Sequence, residues 1–318
     1  MKYNIKPYQS LDFNIWNNFV AQAKNATFLF DRNYMNYHQD RFLDASVMIY
    51  DAKNNLKALF VANTVETTLF SHQGLTYGGL LINEKTKLPE VIELFNDILF
   101  YYKELGYKTL NIKILPSIYT SIPAQEMQYI LFLKQAKLYR RDTLSVINLQ
   151  ENFTISKDRW YAYRKGQKNK LVIKNERTFK DFWNEILLPN LHEKHNAKPV
   201  HTLEEIEYLA QKFPHNIQQF NVYFEDKIVA GSTLYIDKKV AKTQYISSNA
   251  VGKKQNALDF LFVNLLTNYF IENKLLKYLD FGSSNGTYTS NINESLIFWK
   301  ESFGARTEIQ DFYELSII

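Results

Sequence analysis

The chain has 318 residues, 46% of them hydrophobic and 22% charged, a balance that excludes an intrinsically disordered protein. It contains no cysteine, so a disulfide scaffold, a thiolate zinc site and a cysteine nucleophile are all excluded. The net charge is only +5, and the segment Lys157–Arg177, with eight basic residues against two acidic ones, accounts for all of that excess. An anionic ligand is expected to meet this segment.

The first half opens with a polar N-terminus that lacks the apolar core of a secretion signal. Helical spacing of Leu11, Ile15, Trp16, Phe19 and Val20 predicts a helix over 11–24, and a short helix is expected over 31–38. Strands are predicted over 45–50, 56–63 and 67–71, followed by a loop to Leu81. Pro89 at the start and Gly106 past the end bracket a helix over 89–105. A strand over 109–114, a helix over 124–137 and a strand over 139–149 complete this half.

The second half begins with the basic segment, read as a helix or a helix and turn. Helices follow over 179–195 and 203–213. Three strands are expected over 216–225, 227–236 and 240–248, then a helix over 256–273, a strand over 278–281, a helix over 294–303 and a last strand over 307–317. The most apolar stretch, 256–271, is broken by Asp259, Asn264 and Asn268, so no membrane span is expected and a soluble, cytoplasmic protein is.

Each half therefore runs through strands, a long helix, a strand, a short helix and a final strand. Residues repeat as well. Ile118–Ser121 matches Thr287–Ser290, and Phe132, Lys134 and Arg140 recur at the same offsets as Phe298, Lys300 and Arg306. The repeat predicts two duplicated units, 1–148 and 149–318, each α/β with a mixed sheet. It also predicts equivalent places for Phe132 and Phe298.

Three segments could carry chemistry. The strand 242–248 runs through Asn249 and Gly252 into an apolar helix. Such a basic, glycine-bearing turn can hold a phosphate on free backbone N–H groups, or can simply connect two elements. The second runs from Tyr278-Leu-Asp280-Phe-Gly to Asn293–Gly304. No glycine-rich or His-Arg-Asp loop precedes it, so Asp280-Phe-Gly is not read as a kinase motif. The third, Arg159–Lys170, interleaves aromatic and basic residues. That pattern suits RNA, or a helix whose aromatics face a core. His192 and His195 stand three apart without a carboxylate-rich partner motif, so no metal site is expected, and His72 is an acid/base candidate.

The segments Arg164–Leu171, His195–Thr202, Ile228–Leu234, Tyr278–Ser284 and Asn293–Arg306 together resemble the Fem-like group of tandem GNAT acyltransferases. The resemblance implies two tandem GNAT-like domains, 149–318 carrying the donor site. It implies an N-acyltransferase that moves an acyl group from acyl-CoA to an amine acceptor, in cell-envelope or surface-polysaccharide metabolism. An aminoacyl-tRNA donor is the alternative, and a non-catalytic binding protein is the rival reading. The donor pyrophosphate would lie on Gly252, Lys253, Lys254, Gln255, Asn256 and Ala257, which match the usual turn with one glycine fewer. Lys300 would lie near donor phosphate, and Arg164, Lys165 and Lys168 would bind substrate or phosphate. Tyr245, Asp280 and His72 are then the candidates for base or proton relay, with backbone N–H groups after Tyr245 as oxyanion donors.

Overall fold

A computed structural model describes residues 1–195, 197–286 and 291–317. The chain forms two compact units, one of Met1–Asp142 with Ile309–Ile318 and the other of Thr143–Glu308. The Thr287–Ser290 half of the first repeat match lies outside the described residues.

Unit 1 contains β1 (Asn4–Pro7), β2 (Leu43–Asp44), β3 (Val47–Tyr50), β4 (Leu56–Val61), β5 (Asn63–Val65), β6 (Thr68–Phe70), β7 (Gly79–Ile82), β8 (Thr109–Lys113) and the start of β9 (Lys137–Asn148). β1, β3, β4 and β7 form an antiparallel sheet in that order. The Leu88–Glu104 helix buries Val91, Leu94, Phe95, Ile98 and Tyr102, spaced three or four apart along one face. They pack with Phe60, Leu80 and Ile82 into one core. Pro89 stands in its first turn, and Gly106, at φ +87°, follows its end.

Unit 2 contains β10 (Val172–Glu176), β11 (Ile217–Phe224), β12 (Lys227–Asp237), β13 (Val240–Ser248) and β14 (Tyr278–Ser283), with the end of β9 completing the order β10-β11-β12-β13-β14-β9. All pairs are antiparallel except β13 with β14. The basic segment divides into a helix, Lys157–Lys168, and β10, a strand the sequence reading did not foresee. The helix expected over 179–195 is wound as a π-helix over Phe182–Leu187, with Phe182, Trp183, Ile186 and Leu187 buried. The helix Leu203–Lys212 starts on a reciprocal Thr202–Glu205 capping box.

The parallel contact that follows the strand meander recurs in both units. In unit 2 it spans Val240↔Tyr278, Ala241↔Leu279 and Lys242↔Asp280, and in unit 1 Thr68↔Thr109, Leu69↔Leu110 and Phe70↔Asn111. Short helices, Glu126–Leu133 and Glu294–Glu301, follow the strands β8 and β14. Phe132 and Phe298 lie on these helices and are 77% and 69% exposed. The matched lysines differ: Lys134 is exposed at a helix end, whereas Lys300 is buried. The final strand, β15 (Arg306–Ser316), pairs with β8, so its C-terminal part completes unit 1 although the sequence repeat assigns it to the second half.

Candidate active site

The register of β13 against β14 stops at Lys242↔Asp280, although β13 continues to Ser248 and β14 to Ser283. A cavity of about 640 Å³ opens at this point, entirely within unit 2. Its walls come from β13 at Thr243–Gln244, from β14 at Phe281–Ser283, and from Trp299 and Lys300 on the Glu294–Glu301 helix.

Asp280 lies just behind this wall and is 1% exposed. Its Oδ1 accepts the Gly282 N–H at 2.6 Å. Gly282 adopts φ +70°, a left-handed conformation that glycine takes without strain. Lys242 stands beside Asp280 in the parallel register, and its Nζ donates to Gln244 Oε1 at 3.1 Å. Burial pushes the Lys242 ammonium below its usual range, and the Asp280 carboxylate opposes that fall. Lys300 Nζ donates to Gly282 O at 2.8 Å, Ser283 O at 3.0 Å and Ser284 Oγ at 2.8 Å. Burial lowers its pKa to about 8, with Asp280 opposing and Lys242 adding to the fall. The two lysines and the aspartate thus form one charge cluster, with Asp280 and Lys300 buried and Lys242 half-buried at the cavity wall. Within it the Lys300 ammonium holds the 282–284 turn with all three of its N–H bonds.

A second polar knot closes the same cavity. Asp259, in the first turn of the Ala257–Asn264 helix, accepts Arg159 Nη1 through Oδ2 and Trp299 Nε1 through Oδ1, the latter at 2.8 Å. Arg159 Nε also donates to Ser302 Oγ at 2.8 Å. Residue by residue, the sequence marks Asp259 only as an interruption of an apolar stretch. A carboxylate in the first turn of an otherwise apolar helix is the signal that could have found it.

The phosphate turn expected at Gly252–Ala257 has another form. Residues Ala250–Gln255 are already helical, and Asn249 Oδ1 accepts the Gly252 N–H at 2.9 Å. Asn256, at φ +56°, then separates this turn from the long helix. Gly252 serves close packing, since a Cβ there would lie 2.2 Å from the Val229 carbonyl oxygen. Gly252, Lys253, Asn256 and Ala257 line the cavity, whereas Lys254 and Gln255 do not. The Lys254 carbonyl accepts Lys165 Nζ at 3.0 Å, and Gln255 Oε1 accepts Asn169 Nδ2 at 2.6 Å. Arg164 and Lys168 are exposed on the helix that supplies Lys165, while Tyr163 stacks on Phe260 and Trp160 packs against the core.

Two further candidates lie elsewhere. The Tyr245 phenol is turned away from the cavity lining. It accepts the His201 backbone N–H at 3.2 Å, stands 2.6 Å from His201 Nδ1, and packs edge-on against Trp183. Burial pushes its pKa up to about 12, which favours the protonated phenol at neutral pH. His72 belongs to unit 1 and lines none of this cavity. Burial lowers its pKa to about 3. No group of three or more His, Asp and Glu side chains among the described residues is placed to hold a metal ion. The side chain of His195 lies outside the described residues. No described helix is long and apolar enough to cross a membrane.

Neither a protein-family model nor a curated protein matches the chain. Solved structures do. A crystal structure of FemX superposes with a TM-score of 0.66 at 8% identity, over 97% of this chain and 96% of that one. A C-terminal domain from Agrobacterium fabrum, assigned to a lysylphosphatidylglycerol synthetase, gives 0.61 at 11% identity, over 96% and 91%. A tandem GNAT protein from the clavulanic acid biosynthesis pathway gives 0.56 at 10% identity, over 99% of both chains. The chain has a tandem GNAT fold of the Fem-like kind, with mixed sheets.

Proposed function

We propose that the protein is an N-acyltransferase whose unit-2 cavity receives an activated acyl donor and an amine acceptor. The observation that carries this reading is the early end of the β13–β14 pairing. Beyond Lys242, β13 is no longer paired to β14, and its backbone borders a cavity lined by the half-buried Lys242 and the buried Lys300. A strand edge of this kind offers N–H groups to a carbonyl oxygen that becomes negative as the amine adds. The two lysines place positive charge on the wall where that negative charge develops.

The chemistry asked of the chain is modest. The neutral amine attacks the donor carbonyl, the tetrahedral intermediate collapses with cleavage of the bond to the donor's sulfur or ribose oxygen, and the proton lost by the amine passes to that leaving atom, which departs as the thiol or hydroxyl. Holding both reactants at contact distance supplies much of the rate. The chain has no cysteine, so a cysteine acyl-enzyme is excluded, and direct attack by the amine is the route proposed.

Acyl-CoA is the first donor proposed, since Gly252, Lys253, Asn256 and Ala257 line the cavity as the resemblance implies. Aminoacyl-tRNA is the second reading, and a specific observation favours it. Arg164, Lys168, Lys253 and Lys254 are exposed, and the Lys165–Lys254 contact joins the two segments that carry them. A polyanion would bind such a surface. Native mass spectrometry of the purified full chain, followed by titration with acetyl-CoA and with charged tRNA, tests the proposal. Retained CoA, or a melting temperature raised by acetyl-CoA, supports the first donor. Salt-sensitive tRNA binding supports the second. Binding of neither would overturn the transferase reading.

A further inference from the structure

Two neighbouring turns of unit 2 form a surface that the proposed acyl transfer does not use. The first, Lys238–Lys239, joins β12 to β13 across the Asp237↔Val240 pair. The second lies between the short helix Phe270–Glu272 and β14. In it the Leu276 N–H donates to Asn273 O at 2.9 Å, which leaves Lys274 and Leu275 as the central residues. The Lys277 and Tyr278 N–H groups donate to Lys239 O at 2.7 and 3.0 Å, so the backbone locks the two turns together.

The apolar side chains here run against turn chemistry. Central turn positions favour Gly, Asn, Asp and Ser, which bend readily or hydrogen-bond the local backbone. Leu275 occupies such a position and is 80% exposed, whereas Leu276 beside it is buried in the core. Ile271 is 64% exposed beside the buried Phe270. Phe270 and Leu276 anchor the segment, so the two exposed aliphatic chains are presented to the outside by a fixed backbone.

Lysines surround them. The two turns, the short helix and the first residue of β14 carry Lys238, Lys239, Lys274 and Lys277 against Asp237 and Glu272. Asp237 lies beside Lys238 and offsets it. Lys239 and Lys277 instead repel each other. Burial and then the Lys277 charge lower the Lys239 pKa, and no carboxylate among the described residues opposes that fall. A negatively charged partner would relieve this repulsion.

The residue types select that partner. Protein interfaces are depleted in lysine and anchored by aromatic residues and arginine. RNA surfaces hold bases on exposed rings and on arginine. These turns contain no arginine, and their one ring, Tyr278, is half-buried. Exposed aliphatic chains ringed by lysines suit a lipid interface, where the apolar groups enter the headgroup–acyl boundary and the ammonium groups reach the phosphates. We propose that this surface docks the protein on an anionic lipid bilayer, with Leu275 and Ile271 entering the interface and Lys239, Lys274 and Lys277 meeting the lipid phosphates.

The full-length protein is sedimented with vesicles of equal parts phosphatidylglycerol and phosphatidylcholine, with vesicles of phosphatidylcholine alone, and titrated with poly(U) RNA. Binding is expected to the mixed vesicles, weakened by salt, and far less to phosphatidylcholine. Leu275→Ser should weaken vesicle binding about tenfold, with the melting temperature unchanged because Leu275 is exposed. Lys239→Gln and Lys277→Gln should each weaken it about fivefold. Arg164→Gln, on the other basic surface, should leave vesicle binding unchanged, which separates this surface from the overall charge. No binding to the mixed vesicles, equal binding to both vesicle types, or full binding by Leu275→Ser would overturn the proposal. Poly(U) bound in place of vesicles, dependent on Lys239 and Lys277 but not on Leu275, would also overturn it and assign the surface to RNA.

Discussion

Lys300 and Gly282 hold each other in place: the lysine ammonium donates to the glycine carbonyl at 2.8 Å, and the glycine N–H donates back to Asp280, the carboxylate beside that ammonium. The turn that ends β14 is thereby tied to the helix that follows it. Catalysis and stability are coupled at this point. Lys300→Met would leave Gly282 O, Ser283 O and Ser284 Oγ without their donor. It should cost about 1–3 kcal/mol, the range for stranding buried polar groups. Lys134→Met, at the exposed repeat position, should change stability by less than about 0.5 kcal/mol. Urea unfolding of both variants, with turnover measured on the folded fraction, checks this. Equal effects of the two substitutions would remove Lys300 from the site.

Lys300 also predicts a pH dependence. Its folded pKa, about 8, lies below the ordinary lysine value of 10.5. Between those limits the unfolded chain holds a proton that the folded protein has released, so stability rises with pH across that window and is flat below it. Lys242 shifts in the same direction. The gap in unfolding free energy between the wild type and Lys300→Met should therefore widen in favour of the wild type from pH 7.5 to 9.5. A gap that narrows would show that the ammonium is not destabilised by burial.

Asp280→Asn keeps shape but removes the carboxylate from beside the buried Lys300 and the half-buried Lys242. Breaking a buried charge cluster in this way typically costs about 3–5 kcal/mol. Combining it with Lys242→Met removes one of the stranded cations and should recover part of the loss, a non-additive outcome that a double-mutant cycle measures directly. Strict additivity would mean that Lys242 and Asp280 do not interact, despite their paired register.

Gly252→Ala should be costly for a reason unrelated to backbone freedom. A methyl group would stand 2.2 Å from the Val229 carbonyl oxygen and 2.6 Å from Ser248 Oγ, forcing the Ala250–Gln255 turn away from β12. We expect a loss of about 1–3 kcal/mol and weaker donor binding. If thermal melting shows no change, the packing of this turn is looser than described.

Arg164→Glu separates the two donors. Arg164 is exposed and its removal touches no core contact, so folding should be unaffected. Charged-tRNA affinity should fall and its dependence on salt should become shallower, whereas acetyl-CoA binding should change little. An unaltered salt slope would assign the helix Lys157–Lys168 to packing alone.

The alternation and spacing of apolar residues were enough to read most helices and strands, because burial on one face is a local demand written into local sequence. The resemblance at Tyr278–Ser284 and Asn293–Arg306 pointed to the tandem GNAT fold that the solved structures share. Lys300 and Asp280 were legible as a pair because a strand end and the next helix lie close in sequence. Other features depend on partners far along the chain. β10 is a strand because β11, more than forty residues later, supplies its ladder. The Gly252 segment is helical because Asn249 caps it and Val229 packs on it, so its glycine signals close approach and not a turn. Tyr245 points to His201, and the β12–β13 register shifts beside it, between Thr243 and Tyr245, an irregularity that local sequence does not show. Arg159, Asp259 and Trp299 meet only in space, across separations of 100 and 40 residues. Local sequence determines which face of an element is apolar. Which polar side chains meet in the interior is decided by tertiary packing, because their hydrogen bonds form only where distant elements are brought together.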